Sequence, residues 1–334
     1  MDLGVVIGGD LREQAGLARM VEEAGFESVW VAETARSAFV QAAVVAAATS
    51  RVTVGTDIAL AFTRSPTVTA MAARDLAELS DDRFVLGLGT QVKRVNELRF
   101  SVPFEHPAPK IAEAVEVMRR VWESFGGPPP QHRGRFYNVT MGPFPGATPP
   151  ASPVPVYLAA VNVGMAETAG RCAEGVLGHP MTNADYVKEV LRPAVLRGAK
   201  EAGRDPNAVN VSTGAIVQVS HDRETARREA ALQIGFYATT RTYRPLLARY
   251  GFDDLVDPLR DAFASGDLGT MTELSLPMVD SLAIAGEPDE CRERVAAFDG
   301  IADRVILGGA WVGPQDRVAE NHRALIEAFR PDRA

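Results

Sequence analysis

The 334-residue chain has few of the side chains that most often carry chemistry unaided. It holds two cysteines, Cys172 and Cys291, and their spacing excludes a disulfide framework and a thiolate metal site. Its five histidines, His106, His132, His179, His221 and His322, show neither H-x-x-x-H nor H-x-H spacing, so no bound metal is expected. Four lysines occur, Lys93, Lys110, Lys188 and Lys200. None ends an expected strand, which leaves Schiff-base chemistry without a nucleophile. No G-x-S-x-G turn sets up a serine for acyl transfer. Basic excess is also absent: the net charge is −8 at pH 7 and the pI about 5.3, which argues against nucleic-acid partners. No apolar run approaches the roughly 20 residues that cross a bilayer, so no membrane partner is expected. Met1-Asp2-Leu3-Gly4 leads straight into an apolar strand with no basic leader segment, and a reducing cytoplasm is the expected address.

What the chain does have is a persistent alternation of strand-like and helix-like segments. Leu3–Ile7, Ser28–Ala32, Val52–Ile58, Phe84–Leu88, Val156–Ala160, Gly175–Leu177, Val209–Val219 and Arg304–Leu307 read as eight strands with helical patterns between them. The unit Val52–Gln91 is the clearest. A β-branched strand is followed by Ser65-Pro66, an N-cap with proline at the first helical position. An apolar stripe of Val68, Met71, Ala72, Leu76 and Leu79 follows, then an almost wholly apolar strand. Continuous apolar strands alternating with helices describe a parallel sheet covered on both faces. The expected fold is α/β, a single (β/α)8 TIM barrel over residues 1–334. Two insertions interrupt it: a proline-rich excursion after the fourth helix, about 126–155, and a helical one after the seventh strand, about 238–280. A helix is expected from about Ala184 to Ala202.

In such a barrel the active site lies past the carboxyl ends of the strands. Those positions are Gly8-Gly9, Glu33-Thr34, Asp57-Ile58, Gly89-Thr90-Gln91, Ala160–Met165, Gly178-His179, Gln218–Ser220 and Gly308-Gly309. They hold one Glu, one Asp and one His. So sparse a set of reactive groups points to chemistry borrowed from an organic cofactor.

Six blocks in order, Gly25–Trp30, VGTDIALAFTRSP at Val54–Pro66, DRFVLGLGTQ at Asp82–Gln91, FSVPFEHPAPKI at Phe100–Ile111, PVYLAAVNVGMAETAGRCAEGVLGHP at Pro155–Pro180 and AGEPDECRERVAAF at Ala285–Phe298, resemble the luciferase-like oxidoreductases, in the branch that uses the deazaflavin coenzyme F420. The resemblance implies an F420-dependent oxidoreductase that moves a hydride between C5 of the deazaflavin and a small organic substrate. The alternatives are an FMNH2-dependent monooxygenase on the same scaffold, with FMN as the cofactor, and a non-catalytic cofactor carrier or sensor. A homodimer is a further implication.

Position by position, Asp57-Ile58 resembles the site of a non-prolyl cis peptide that backs the flavin ring. Gly89, Thr90 and Gln91 resemble the segment along the ring edge and ribityl chain. Ala160, Asn162, Val163, Gly164 and Met165 resemble the loop that receives the cofactor phosphate, where a glycine and exposed helix N–H groups suit an anion. Gly178 and His179 would flank the phosphate or ring. The basic residues Lys93, Arg94 and Arg99 would meet a polyglutamate tail. Sugar-phosphate dehydrogenases of the family carry Asp-His after the second strand and Glu after the fourth, whereas this chain has Glu33-Thr34 and Gln91-Val92. That disfavours sugar-phosphate oxidation and leaves Glu33, with Asp57, as the catalytic expectation: buried, Glu33 would be hard to ionise and could protonate a substrate. Phe236, Tyr237, Tyr243 and Tyr250 of the later insertion are expected on the substrate side.

Overall fold

Eight parallel strands close on themselves: β1 (Asp2–Ile7), β2 (Ser28–Val31), β3 (Thr53–Thr56), β4 (Phe84–Gly89), β5 (Val156–Ala160), β6 (Gly175–Gly178), β7 (Asn210–Val219) and β8 (Arg304–Gly308), with β8 returning to β1. This is the (β/α)8 barrel expected from the alternation. It is seen in a computed structural model that describes residues 1–142 and 148–330. Part of the expected proline-rich excursion, residues 143–147, lies outside the described residues.

The two-residue period of a strand sorts each side chain to one face of the barrel wall. Val5, Ile7, Val29, Val31, Leu86, Leu88, Leu158, Val305 and Leu307 face outward into the main core. Trp30, Val85, Tyr157, Leu177 and Ile306 fill the barrel, with Val6, Ile58 and Ala159 packed on them. Trp30 explains two glycines. A Cβ at Gly55 would lie 2.3 Å from its ring, and one at Gly4 would lie 2.9 Å from its Nε1. At the amino-terminal face, carboxylates accept from the first strand amides: Glu27 from Leu3 N (2.8 Å), Glu174 from Val156 N (3.0 Å) and Asp303 from Val211 N (2.6 Å). Those bonds satisfy donors that the sheet ladder leaves over.

Helix α1 (Leu11–Glu23) is capped by Asp10, and α2 (Ala38–Ala48) follows β2. In α3 (Pro66–Leu79) the Ser65 hydroxyl accepts from Val68 N, as Ser65-Pro66 predicts. The strand expected over Val52–Ile58 is shorter. Regular pairing stops at Thr56, the Asp57–Ile58 peptide is cis, and Ala59–Leu60 pairs separately with β4. At the break the Thr56 hydroxyl donates to Gly87 O (2.7 Å) and accepts from Gly87 N (2.9 Å). A Cβ at Gly87 would sit 1.8 Å from Thr56 O.

Helix α4 (Pro107–Ser124) carries Glu113, which holds the start of the excursion. Its carboxylate accepts from Phe136 N (3.0 Å) and Tyr137 N (2.8 Å) and meets His132 Nε2 at 3.2 Å, fixing the small hairpin His132–Arg133 and Asn138–Val139. After β5 comes α5 (Val163–Cys172). The helix expected over Ala184–Ala202 is interrupted: Ala184–Tyr186 passes through a wide π turn, Val187–Leu191, into α6 (Arg192–Glu201). Pro193, which has no N–H to give the preceding turn, accounts for the wider winding. Helix α7 (Arg223–Ala238) opens the second insertion, a run of short helices that ends in a strand the sequence reading missed, Ile284–Gly286, paired to the end of β7. Three residues are too few to show a period. Helix α8 (Gln315–Ala328) closes the ring. No described helix is long and apolar enough to cross a membrane.

Candidate active site at the barrel mouth

The carboxyl ends of the strands surround a well. Val6, Gly8, Asp57, Ile58, Ala159, His179 and Gly308 are each partly accessible, whereas their outward neighbours Ile7, Val31, Leu158 and Leu307 are closed to solvent. Solvent therefore reaches down to Val6, Ile58 and Ala159, which form a floor over the fully buried Trp30. The Ile58 side chain lies across Gly89, where a Cβ would come within 2.6 Å of its Cδ1. Gly89 is thus needed first by Ile58 and faces a ligand with backbone only.

Two acidic side chains stand at the mouth, in opposite circumstances. Glu33 was expected to be a protonated acid, and its contacts correct that reading. One carboxylate oxygen accepts from Leu60 N and Arg64 Nη1, both at 2.8 Å, and the other from Arg64 Nη2. With both oxygens accepting, Glu33 has no hydroxyl proton to offer. It is a clamp between the ends of β2 and β3. Asp57 has no hydrogen-bond donor and no cation against its carboxylate among the described residues, and desolvation pushes its pKa up to about 7. His179, likewise desolvated, is pushed down to about 3 and stays neutral. Its Nδ1 accepts from Met181 N at 3.2 Å, which leaves the proton on Nε2.

The second insertion walls one side. Tyr237 and Tyr243 pack on the His179 ring at 4.6 and 4.5 Å between centroids. Phe236 meets Trp311, from the loop after β8, at 5.0 Å. Trp311 Nε1 donates to the Tyr237 hydroxyl oxygen at 3.2 Å, and the buried Gln233 carboxamide accepts from Trp311 N (3.0 Å) and Val312 N (3.2 Å). Burial, with the nearby Asp57 charge adding to it, pushes the Tyr237 phenol up to about 12. Tyr250 does not line this wall, because its hydroxyl donates to Asn183 Oδ1 (2.7 Å), the residue that caps Tyr186 N.

The expected phosphate loop divides. Ala160 is corrected: its side chain is buried in the outer core, so only its backbone borders the mouth. Gly178 is corrected too, since its missing Cβ would meet Thr213 Oγ1 at 2.5 Å and the Leu191 side chain at 2.9 Å, away from the well. The amino terminus of α5 remains open. It has no side-chain cap, Val163 and Gly164 are exposed, and nothing lies within 4 Å of a Cβ at Gly164. Asn162 turns aside, its Nδ2 donating to Thr242 O at 3.4 Å, and its carbonyl accepts from Met165 N. Unsatisfied first-turn amides suit a phosphate.

The Thr90 carbonyl is held by Asn96 Nδ2 (2.9 Å), and Gln91, at φ 55°, turns its Oε1 back to Val92 N (3.0 Å). The basic cluster sits on the short helix Lys93–Arg99, where Lys93 faces Glu97 at 3.7 Å. Residues that the sequence reading passed over as site residues are Arg64, Gln233, Trp311 and Val6. Only Val6 left a usable signal, being two positions along the strand from Gly4 and Gly8.

Residues 3–328 match the luciferase-like monooxygenase family. An uncharacterized protein of Mycobacterium tuberculosis is 36% identical over 304 residues, covering 89% of both chains. A 5,10-methylenetetrahydromethanopterin reductase of Methanolobus tindarius is 28% identical over 316 residues, covering 91% of this chain and 92% of its own. Among solved structures, the coenzyme F420-dependent tetrahydromethanopterin reductase from Methanopyrus kandleri superposes with a TM-score of 0.83 at 23% identity, covering 99% of this chain and 97% of that one.

Proposed function

The chain belongs to the luciferase-like monooxygenase family, and on that premise we propose that it is an F420-dependent oxidoreductase acting on a small organic substrate in the well. The observation that carries the proposal is the pairing of two features at one mouth. One is a solvent-reached floor of Val6, Ile58 and Ala159 beside the unpartnered Asp57. The other is the uncapped first turn of α5, an anion site made without charged side chains. The F420-dependent reductase fold match and the reductase among the sequence relatives favour the deazaflavin over FMN.

The residues present fit such a group. Ile58, Gly89 and Ala159 offer a flat apolar floor, His179 a neutral N–H donor, and the amides of Val163 and Gly164 a phosphate seat. When bound, the deazaflavin supplies or accepts the hydride at its C5. The chain supplies position and one proton. Asp57, near half-protonated at neutral pH, gives that proton to the substrate atom that gains electron density, or takes it in the opposite direction, and re-equilibrates with water. Glu33 and Arg64 keep the β2 and β3 ends in place and exchange no proton. Among the described residues, Arg64 stands at the mouth but is spent on Glu33, which leaves it unavailable to a sugar phosphate.

The test is to reduce F420 chemically, mix it with the protein and a panel of enones, imines, ketones and quinones, and follow the return of the oxidised deazaflavin absorbance. Reoxidation that needs both protein and organic acceptor supports the reading. Turnover with FMNH2 and oxygen alone would replace it with the monooxygenase.

A further inference from the structure

The well is not uniform around its circumference, and this inference rests on its being the reaction site. Inward positions on β3, β5 and β6 hold Asp57, Ala159 and His179, whereas those on β8, β1 and β2 hold Gly308, Gly8 and Ala32. The register Val6 opposite Trp30 and Val31 opposite Thr56 sets Gly8, Ala32 and Asp57 at one level of the mouth. A Cβ at Gly8 would meet nothing within 4 Å, and the backbone there is of an ordinary kind. The loop leaving β8 carries Trp311, which is 41% exposed and forms an aromatic ledge with Phe236, itself edge-to-face with Phe263 at 5.8 Å.

Apart from Asp57, the polar side chains named on this side carry no charge. The Tyr237 oxygen accepts from Trp311 Nε1, so its own proton is free to be given, and Gln233, which is 1% exposed, fixes the Trp311 backbone. Among the described residues the Gln233 Nε2 has no partner of its own. Around the well, Glu33 and Arg64 cancel and His179 is neutral. A carboxylate or phosphate entering here would shed its water and, among the described residues, face the Asp57 carboxyl and the already paired Arg64.

We infer that the side between Asp57 and Trp311 is the substrate subsite and takes an uncharged, flat, conjugated carbonyl compound, whose oxygen receives the Tyr237 O–H while its frame lies over Gly8 and Gly308. Tyr237 is then a substrate-binding donor, and Trp311 both positions it and bounds the slot.

The experiment needs no turnover. The chain has three tryptophans, Trp30, Trp122 and Trp311, so its indole N–H resonances in a proton–nitrogen correlation spectrum are few, and Trp311→Phe assigns the one of interest. Acetophenone and benzoate share an outline and differ in charge. Acetophenone should shift the Trp311 resonance saturably, with benzoate at least tenfold weaker. Tyr237→Phe should weaken acetophenone about fivefold while leaving styrene, which lacks the oxygen, unchanged. Gly8→Leu, and independently Gly308→Val in case the first fails to fold, should abolish the shift. Benzoate binding as well as acetophenone would overturn the inference, as would acetophenone binding unchanged in both filled variants. F420 affinity is measured separately on the same proteins by absorbance. Acetophenone binding without F420 binding would sink the cofactor assignment and leave the subsite standing; the reverse would sink the subsite alone.

Discussion

Asp57→Asn should stabilise the protein, by an amount that grows as pH rises above about 4 and levels off above about 7. Asp57 ordinarily titrates near 3.8 and is held at about 7 in the folded chain by desolvation. Between those values the folded state keeps a proton that the unfolded state has lost. Stability is therefore complete below about pH 4, falls as pH rises toward 7, and is flat above. The difference corresponds to about 4 kcal/mol as a ceiling. Because the side chain touches solvent, screening reduces it to about 2 kcal/mol. A chain of this length unfolds with an entropy of about 0.7 kcal/mol per kelvin, so 2 kcal/mol is about 3 °C in Tm. Thermal unfolding followed by circular dichroism, wild type against Asp57→Asn from pH 5 to pH 8, reads this directly. The variant's advantage should grow from about 1 °C at pH 5 to about 3 °C at pH 8. Turnover should fall about a hundredfold or more and lose its pH limb near 7. A Tm difference that is constant across pH, or of opposite sign, would refute the reasoning, because an unpartnered, desolvated carboxyl must show this slope.

The Glu33–Arg64 pair makes the contrasting case. Arg64→Met leaves an 8% exposed carboxylate without its cation and should cost about 2–3 kcal/mol, or about 3–4 °C in Tm, with Glu33→Gln recovering part of it in the double variant. Glu33→Gln alone should leave the pH limb near 7 in place, as read from rate profiles. Gly87→Ala puts a methyl 1.8 Å from Thr56 O and should cost more than about 3 kcal/mol, whereas Gly164→Ala, in open space, should leave Tm within about 1 °C; differential scanning calorimetry separates them. Glu113→Ala removes the acceptor shared by Phe136 N and Tyr137 N and should speed limited proteolysis within residues 126–142 without altering F420 affinity.

Much of the fold was legible because a buried parallel strand announces itself by composition and its helix by period. Phe84–Gly89 carries the first signal strongly. In Pro66–Leu79 the cap was right but the stripe was not, since Val68, Met71 and Leu79 are exposed and Thr69, Ala70, Ala73, Leu76 and Ala77 form the buried face. The short strand Ile284–Gly286 and the π turn at Val187–Leu191 were not, since three residues carry no period and a winding change at Pro193 is settled by packing. In the site, strand-end position located Asp57 and His179. Strand-end position alone misassigned Ala160 and Gly178, whose parity sends Cβ outward. Counting in twos from Tyr157 or Leu177 would have separated them from Ala159 and His179. The role of Glu33 turned on Arg64, 31 residues away, and the aromatic wall on Tyr237 meeting Trp311, 74 residues away. Neither meeting is written in any local pattern.

Whether the mouth holds a deazaflavin is read by equilibrium binding. Titrating the protein with F420 and, separately, with FMN, each followed by its own absorbance, should give saturable F420 binding at least a hundredfold tighter than FMN. Binding of FMN with no measurable affinity for F420 would mean that the mouth is not a deazaflavin site.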